Sequence, residues 1–256
     1  VFSPTGTGKT LCGFLPSFVD LHKKNYISGL HTLYISPLKA LTYDIHRNIS
    51  LPINDLNLPI RFETRTGDTS NYRKLSQIKT PPHFLMTTPE SLALLVSYKD
   101  SKIYFKNLQF LIIDELHTFF ENKRGDLLSL LIEKMQSFSP FISRIGLSAT
   151  IQNKEKATKW LCRKNPKIIT PVTKIKPKIK IIKLTKRVPW SGHSAKYAVN
   201  EIYNQITNAR KCLIFVNTRS QSEFLFQELW KINTNNLKIA IHHGSLERGM
   251  RKKVED

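Results

Sequence analysis

The chain has 256 residues, 40% of them hydrophobic, which suits one large domain or two modest ones with ordinary cores. No apolar run approaches the ~20 residues that a membrane span needs, and no signal-peptide pattern opens the chain. Cys12, Cys162 and Cys212 are far apart and odd in number, which argues against a disulfide framework or a zinc cluster and fits a reducing, cytoplasmic setting. Lys and Arg number 40 against 19 Asp and Glu, a net charge of +21. Such an excess attracts polyphosphate chains and releases their counterions on binding; the plain alternative is a Lys-rich compositional bias, since Asn and Ile are abundant too.

The chain opens with Val1 rather than Met, and only Val1 and Phe2 precede a loop motif, Ser3-Pro4-Thr5-Gly6-Thr7-Gly8-Lys9-Thr10. Gly6 and Gly8 let backbone N–H groups turn inward toward phosphate oxygens. Lys9 can reach the β and γ phosphates of ATP, and Thr10 can place its hydroxyl on Mg²⁺. A helix over Lys9–Lys24 adds its positive N-terminal end. The strict pattern begins with Gly, where this chain has Ser3. A loop of this kind needs a strand feeding it, and Val1–Phe2 is only the end of one, so the sequence reads as a fragment whose sheet lacks a central strand.

A strand over Thr32–Ile35 leads to Ser36-Pro37-Leu38-Lys39 and a helix over Leu38–Ile49. A strand at Ile60–Glu63 precedes a turn, Arg65-Thr66-Gly67-Asp68. A strand at Phe84–Thr87 leads to Thr88-Pro89-Glu90 and a helix over Glu90–Ser97. Ser36 and Thr88 each stand at a helix N-cap with Pro behind them. Capping explains these residues in part. Two such helix starts, with Lys39 and Gly67, can also grip successive backbone phosphates, which predicts little base specificity.

The apolar strand Phe110–Asp114 delivers Asp114-Glu115-Leu116-His117 at its C-terminal end, where α/β sheets place ligands. Asp114 suits the metal's water shell, and Glu115 suits polarising the attacking water. A helix at Asp126–Ser137 and a strand at Ile145–Ser148 follow, closing on Ser148-Ala149-Thr150. Those hydroxyls can hydrogen-bond His117 and relay nucleotide state, or simply cap the next helix, Lys154–Cys162. Alternating nearly all-apolar strands with helices predicts a doubly wound parallel α/β sheet over residues 1–164.

Residues 165–177, with Pro166, Pro171 and Pro177, read as a linker. Lys178, Lys180 and Lys183 alternate with isoleucines on an expected strand, where edge protection is the simplest role. The α/β rhythm then resumes over 178–256: a helix at Ala195–Asn208 capped by Ser194, a strand Cys212–Val216, a helix Gln221–Lys231, a strand Leu237–Ile241 and a helix start near Leu246. This reads as a second α/β domain begun and truncated.

Together, Pro4–Thr10, Ser36–Leu41, Thr66–Asp68, Thr88–Leu92, Asp114–His117 and Ser148–Thr150 resemble the successive motifs of superfamily 2 DEAD/DEAH-like helicases. The segments His31–Leu41, Glu63–Thr69 and Lys123–Leu128 resemble the large helicase-related (Lhr) family most closely. Leu213–Arg219 resembles its motif IV, and His242–Leu246 the segment after it. The resemblance implies a RecA-like P-loop fold followed by a partial second RecA-like domain. It implies ATP hydrolysis with Mg²⁺, 3′-to-5′ movement on single-stranded DNA and duplex unwinding, with RNA or a hybrid as other partners. Pro4 through Thr10 map onto ATP binding, Lys9, Asp114 and Glu115 onto catalysis, and Thr10 and Asp114 onto the metal. His117, Ser148 and Thr150 map onto coupling. Ser36, Lys39, Gly67, Thr88 and Arg219 map onto strand contacts. The family's motifs V and VI, with the arginine finger, are expected beyond Asp256, so the chain alone is expected to be inactive unless a second chain supplies that half. Two other readings stay open: a nucleic-acid-binding remnant without ATPase activity, and a P-loop ATPase acting on protein.

Overall fold

The computed structural model describes residues 1–4, 6–38, 45, 49–51, 53–149, 153–162, 166–171, 178–182 and 196–255. These fall into two compact units, Val1–Lys174 and Ile175–Asp256.

In the first unit five parallel strands form one sheet in the order β2-β3-β1-β4-β5: β1 Thr32–Ile35, β2 Phe62–Arg65, β3 Phe84–Thr87, β4 Phe110–Ile113 and β5 Ser143–Gly146. The helices described from end to end are α1 Lys9–Lys23, α2 Asn71–Lys79, α3 Pro89–Val96, α4 Ser101–Phe105, α5 Lys123–Phe138 and α6 Lys154–Leu161, with a 3₁₀ turn at Leu116–Thr118. Successive strand residues point to opposite faces. Leu33, Ile35, Leu85, Leu111 and Ile113 therefore meet Leu92, Leu95, Leu128, Ile132 and Met135 on one side. Tyr34, Phe84, Met86 and Ile112 meet Phe14 and Leu21 of α1 on the other. Each fully buried side chain of this size contributes roughly 1.5–3 kcal/mol, so burying both faces holds a parallel sheet that cannot present a face to water.

Three expectations shift. The strand expected at Ile60–Glu63 lies at Phe62–Arg65. Its end is polar in sequence, but Arg65 is buried and donates to the Lys74 carbonyl at 2.9 Å. The unpredicted helix α2 is mostly polar, with Ile78 against the core; Ser70 accepts from the Arg73 amide and buried Gln77 ties it to Glu63 and to the Thr64 carbonyl. The strand expected at Ile145–Ser148 ends at Gly146, and Ser148 instead bridges Phe2 in parallel. Val1–Phe2, expected as the end of a strand feeding the loop, thus lies alongside the end of β5. The Ser3 amide donates to the Ser148 carbonyl at 3.0 Å, the Phe2 amide to the Ile169 carbonyl at 2.9 Å, and the five strands are continuous without a further one between them. The helix expected over Leu38–Ile49 lies largely outside the described residues.

The second unit contains a 3₁₀ turn at Lys196–Ala198 and helices α7 Val199–Thr207, α8 Arg219–Lys231 and α9 Arg248–Glu255. Val199, Tyr203, Leu225 and Leu229 form its core, with Val216, Leu237 and Ile239 packed against them. The cap expected at Ser194 falls outside the described residues. The strands expected near 178–183, 212–216 and 237–241 are not formed among the described residues. A ladder needs a neighbouring strand and cover on both faces. Here only Val216 of 212–216 packs against the core, and Cys212, Leu213, Ile214 and Phe215 are exposed.

No helix among the described residues is long and apolar enough to cross a membrane.

Candidate nucleotide and strand-contact site

The sheet order places the predicted residues along one edge. The C-terminal ends of β2, β3, β1, β4 and β5 lead, in that sequence, to Gly67, Thr88, Ser36, Asp114 and Ser148. Neighbouring strands sit about 4.8 Å apart, so these residues stand in a row. Cross-bonds fix it: the Ser36 amide donates to the Thr87 carbonyl at 3.0 Å, the Asp114 amide to the Ile35 carbonyl at 2.9 Å, and the Thr87 hydroxyl to the Arg65 carbonyl at 2.8 Å.

At one end of the row lies the loop. Gly6 and Gly8 have φ of 77° and 80°, a left-handed conformation that L side chains resist. Gly8 precedes α1, whose N-terminus has no side-chain cap. Its first-turn N–H groups are the unpaired donors that helix starts offer to anions. Ser3, the departure from the usual Gly, is buried; its hydroxyl bonds that of Thr7, which donates to the Pro4 carbonyl at 2.7 Å. The hydroxyl braces the loop from within.

Lys9 is 8% exposed, and its Nζ lies 3.6 Å from Glu115 Oε1. Among the described residues Nζ has no hydrogen-bond partner, and neither does Glu115 Oε2. A buried ammonium without such bonds is costly. An oxyanion seated on Gly6, Gly8 and the start of α1 would relieve it, so these residues fit a phosphate. Thr10 is the second residue of the same helix.

Asp114 is held by two donors. The Tyr34 hydroxyl bonds Oδ2, and the Glu115 amide donates to Oδ1 at 2.8 Å. Burial first, then the Asp114 charge, pushes the Tyr34 phenol far up, so it remains a donor. Tyr34 was not among the predicted residues; its signal was only a polar tip inside the apolar strand beside the acidic one. Glu115 itself sits at φ 47° and ψ 49°, an uncommon state for a non-glycine residue. His117 Nδ1 lies 3.0 Å from Ser148 Oγ and 3.4 Å from Glu115 Oε2. The predicted acidic box, His117 and Ser148 are thus brought together with Lys9.

At the other end of the row, Thr88 accepts from the Ser91 amide at 3.5 Å and caps α3 as expected. The Ser36 hydroxyl donates to the Leu38 carbonyl at 3.2 Å, and the helix it is expected to cap lies largely outside the described residues. Gly67 lies exposed in a turn closed by Thr66 and Thr69. Thr5, Lys39 and Thr150 lie outside the described residues. Arg219 belongs to the second unit, as the first residue of α8, where its guanidinium donates to the Ser245 hydroxyl at 2.5 Å. No group of three or more His, Cys, Asp or Glu side chains placed to hold a metal occurs among the described residues. Thr10 and Asp114 suit a cation carried in on phosphate oxygens, with few protein ligands. A cavity of about 690 Å³ lies elsewhere, lined by Arg61, His83, Tyr104 and Asn107 and by none of these site residues.

With that geometry in view, residues 1–158 match the DEAD/DEAH box helicase family. The chain belongs to that family. Over its full length this family member is 35% identical to the ATP-dependent helicase Lhr-Core protein 2 of Thermococcus barophilus, and 36% identical to the ATP-dependent helicase Lhr-Core of Saccharolobus solfataricus. It spans 32% of the length of each. Among solved structures it resembles the Lhr helicase of Mycobacterium smegmatis, bound to single-stranded DNA and AMP-PNP, with a TM-score of 0.77 and 30% identity. That match covers 100% of this chain and 35% of the other. The five-stranded parallel sheet is therefore the α/β, RecA-like fold of a helicase domain.

Proposed function

We propose that this chain carries the nucleotide site and part of the strand-contact surface of an ATP-dependent, Lhr-like nucleic-acid helicase, which moves on single-stranded DNA and opens duplexes. The observation that carries the reading is Lys9 Nζ, buried without a hydrogen bond among the described residues and 3.6 Å from Glu115. In this reading residues 1–164 are the ATP-binding domain, 165–177 a linker and 178–256 part of a second RecA-like domain. The compact unit Val1–Lys174 supports the first of these.

ATP would enter with its phosphates on the Gly6 and Gly8 backbone and the N-terminus of α1. Lys9 would turn from Glu115 to the β and γ phosphates. Glu115, released from the ammonium, would orient the attacking water and take its proton. Mg²⁺, held through Thr10 and Asp114, would neutralise charge on the phosphate oxygens. His117, bridged to Ser148, would report the state of Glu115 to the strand end beside the loop. Ser36, Gly67 and Thr88 would meet successive phosphates of one strand. Such contacts position without reading bases, and the net charge of +21 favours them.

Nucleotide binding tests this. The chain should bind a fluorescent ATP analogue with Mg²⁺, Lys9→Ala should weaken binding at least ~10-fold, and Glu115→Gln should bind about as well as wild type. Unchanged binding in Lys9→Ala, or lost binding in Glu115→Gln, would overturn the assignment.

A further inference from the structure

The segment Lys123–Leu128 stands out in the sequence, yet neither nucleotide nor strand contacts account for it. It opens α5, and Asn122 caps that helix by accepting from the Gly125 amide at 3.0 Å. Capping explains Asn122. It does not explain Arg124, whose side chain crosses to two other segments. Its Nε donates to Glu90 Oε1 at 2.7 Å and its Nη2 to the Pro37 carbonyl at 2.9 Å, with the guanidinium 5.7 Å from the Phe119 ring centre. Pro37 follows Ser36, and Glu90 follows Thr88 by two residues. One rigid fork therefore joins both predicted phosphate-contact segments.

The same segment is wired to the acidic box. The Glu115 carbonyl accepts from the Thr118 amide and hydroxyl, each at 2.8 Å. The Thr118 carbonyl accepts from Asn122 Nδ2 at 2.7 Å. Asn122 Oδ1 then holds Gly125. Gly125 fits only as glycine, since a Cβ there would lie 1.6 Å from the Phe119 carbonyl oxygen. The bonds thus run from the backbone of Glu115 through Thr118 and Asn122 to the amide of Gly125, the residue after Arg124.

We infer that Arg124 is a positioning residue: it holds the Ser36–Leu38 and Thr88–Leu92 segments in register and passes the backbone state of Glu115 to both. What those segments bind rests on the function proposed above; that Arg124 ties them together does not. Two acceptors on different segments suit the rigid, planar fork of a guanidinium better than the compact ammonium of a lysine. The state of Glu90 agrees. Burial raises its carboxyl pKa, but the Arg124 hydrogen bond, with the Glu90 amide and the Thr88 hydroxyl, outweighs this and lowers it overall. The carboxylate is thus kept charged for the fork.

Hydrogen exchange by mass spectrometry tests the inference on the whole chain, with wild type, Arg124→Ala and Arg124→Lys, each with and without Mg²⁺ and AMP-PNP. Without nucleotide, Arg124→Ala should speed exchange at least ~5-fold in peptides over Ser36–Leu38 and Thr88–Leu92, and leave α1 unchanged. Arg124→Lys should keep the Thr88–Leu92 peptide protected through Glu90 and lose protection at Ser36–Leu38. In wild type, nucleotide should change exchange in both peptides; in Arg124→Ala that response should vanish while nucleotide affinity stays within about twofold of wild type. A structural role alone would not remove the response and spare the affinity. Unchanged exchange in Arg124→Ala without nucleotide, or an equal nucleotide response in wild type and Arg124→Ala, would overturn the inference. Should wild type bind no nucleotide, the proposed function fails, and the nucleotide-free comparison still decides whether Arg124 is the tie.

Discussion

Replacing Gly125 by alanine sets two effects against each other. Glycine inside a helix is ordinarily about 1 kcal/mol worse than alanine, so Gly125→Ala in the first turn of α5 should stabilise. The structure reverses the sign. The new methyl would meet the Phe119 carbonyl oxygen at 1.6 Å, and that contact must roughly double in length to become tolerable. Phe119 is fully buried, so its backbone cannot swing into solvent. The start of α5 must move instead, which strains the Asn122 cap and the packing of Leu128. Loss of a cap costs about 1 kcal/mol and overpacking about 1–3; set against the gain of about 1 from helix propensity, the net loss should be about 1–3 kcal/mol. For a unit of this size that is a fall in Tm of roughly 2–12 °C. Gly249→Ala in α9, where an added Cβ meets nothing within 4 Å, is the matched control and should be neutral or slightly stabilising. Thermal unfolding followed by circular dichroism reads both. A Gly125→Ala Tm at or above that of wild type would refute the steric argument.

Two further expectations concern buried polar groups. Tyr34→Phe removes a donor from Asp114 and leaves a buried carboxylate oxygen short of a partner, so urea unfolding should show a loss of about 1–3 kcal/mol; an unchanged midpoint would mean that this hydroxyl contributes nothing. His31 is buried, with Nε2 2.9 Å from Asp20 Oδ2. Burial lowers its pKa below the ordinary 6.5, and Asp20 only partly restores it. A depressed folded pKa contributes stability that is present above 6.5 and lost as pH falls through the folded value. Stability should therefore drop on acidification below about pH 6.5, and His31→Asn should flatten that part of the curve; equal slopes in both proteins would dismiss the role.

The strands β1, β3 and β4 were legible because each is a short apolar run closed by Ser, Thr or Asp. Their neighbours were harder. β2 is half polar, and its place is set by Arg65 and Gln77, whose partners lie far off in sequence. α2 has almost no apolar stripe to betray it. The loop, the acidic box and His117–Ser148 could be read from residue type and spacing, since their chemistry fixes both. Tyr34 and the Arg124–Glu90 pair could not, because each matters through a neighbour that only the fold supplies. In the second unit the apolar runs at 212–216 and 237–241 promised strands. Hydropathy says that a segment wants cover, and it does not say whether a partner strand lies beside it.

The sheet order bears on how the chain is made. β1, the middle strand, emerges early, yet both of its neighbours come later: β3 ends at Thr87 and β4 at Ile113. At ~5–20 residues per second of synthesis, β1, whose four residues are all buried in the folded unit, waits several seconds with no strand beside it. A nascent chain that has released β1 but not yet β3 should therefore present unpaired backbone edges and uncovered side chains, and a chaperone acting at the exit tunnel has its natural window there.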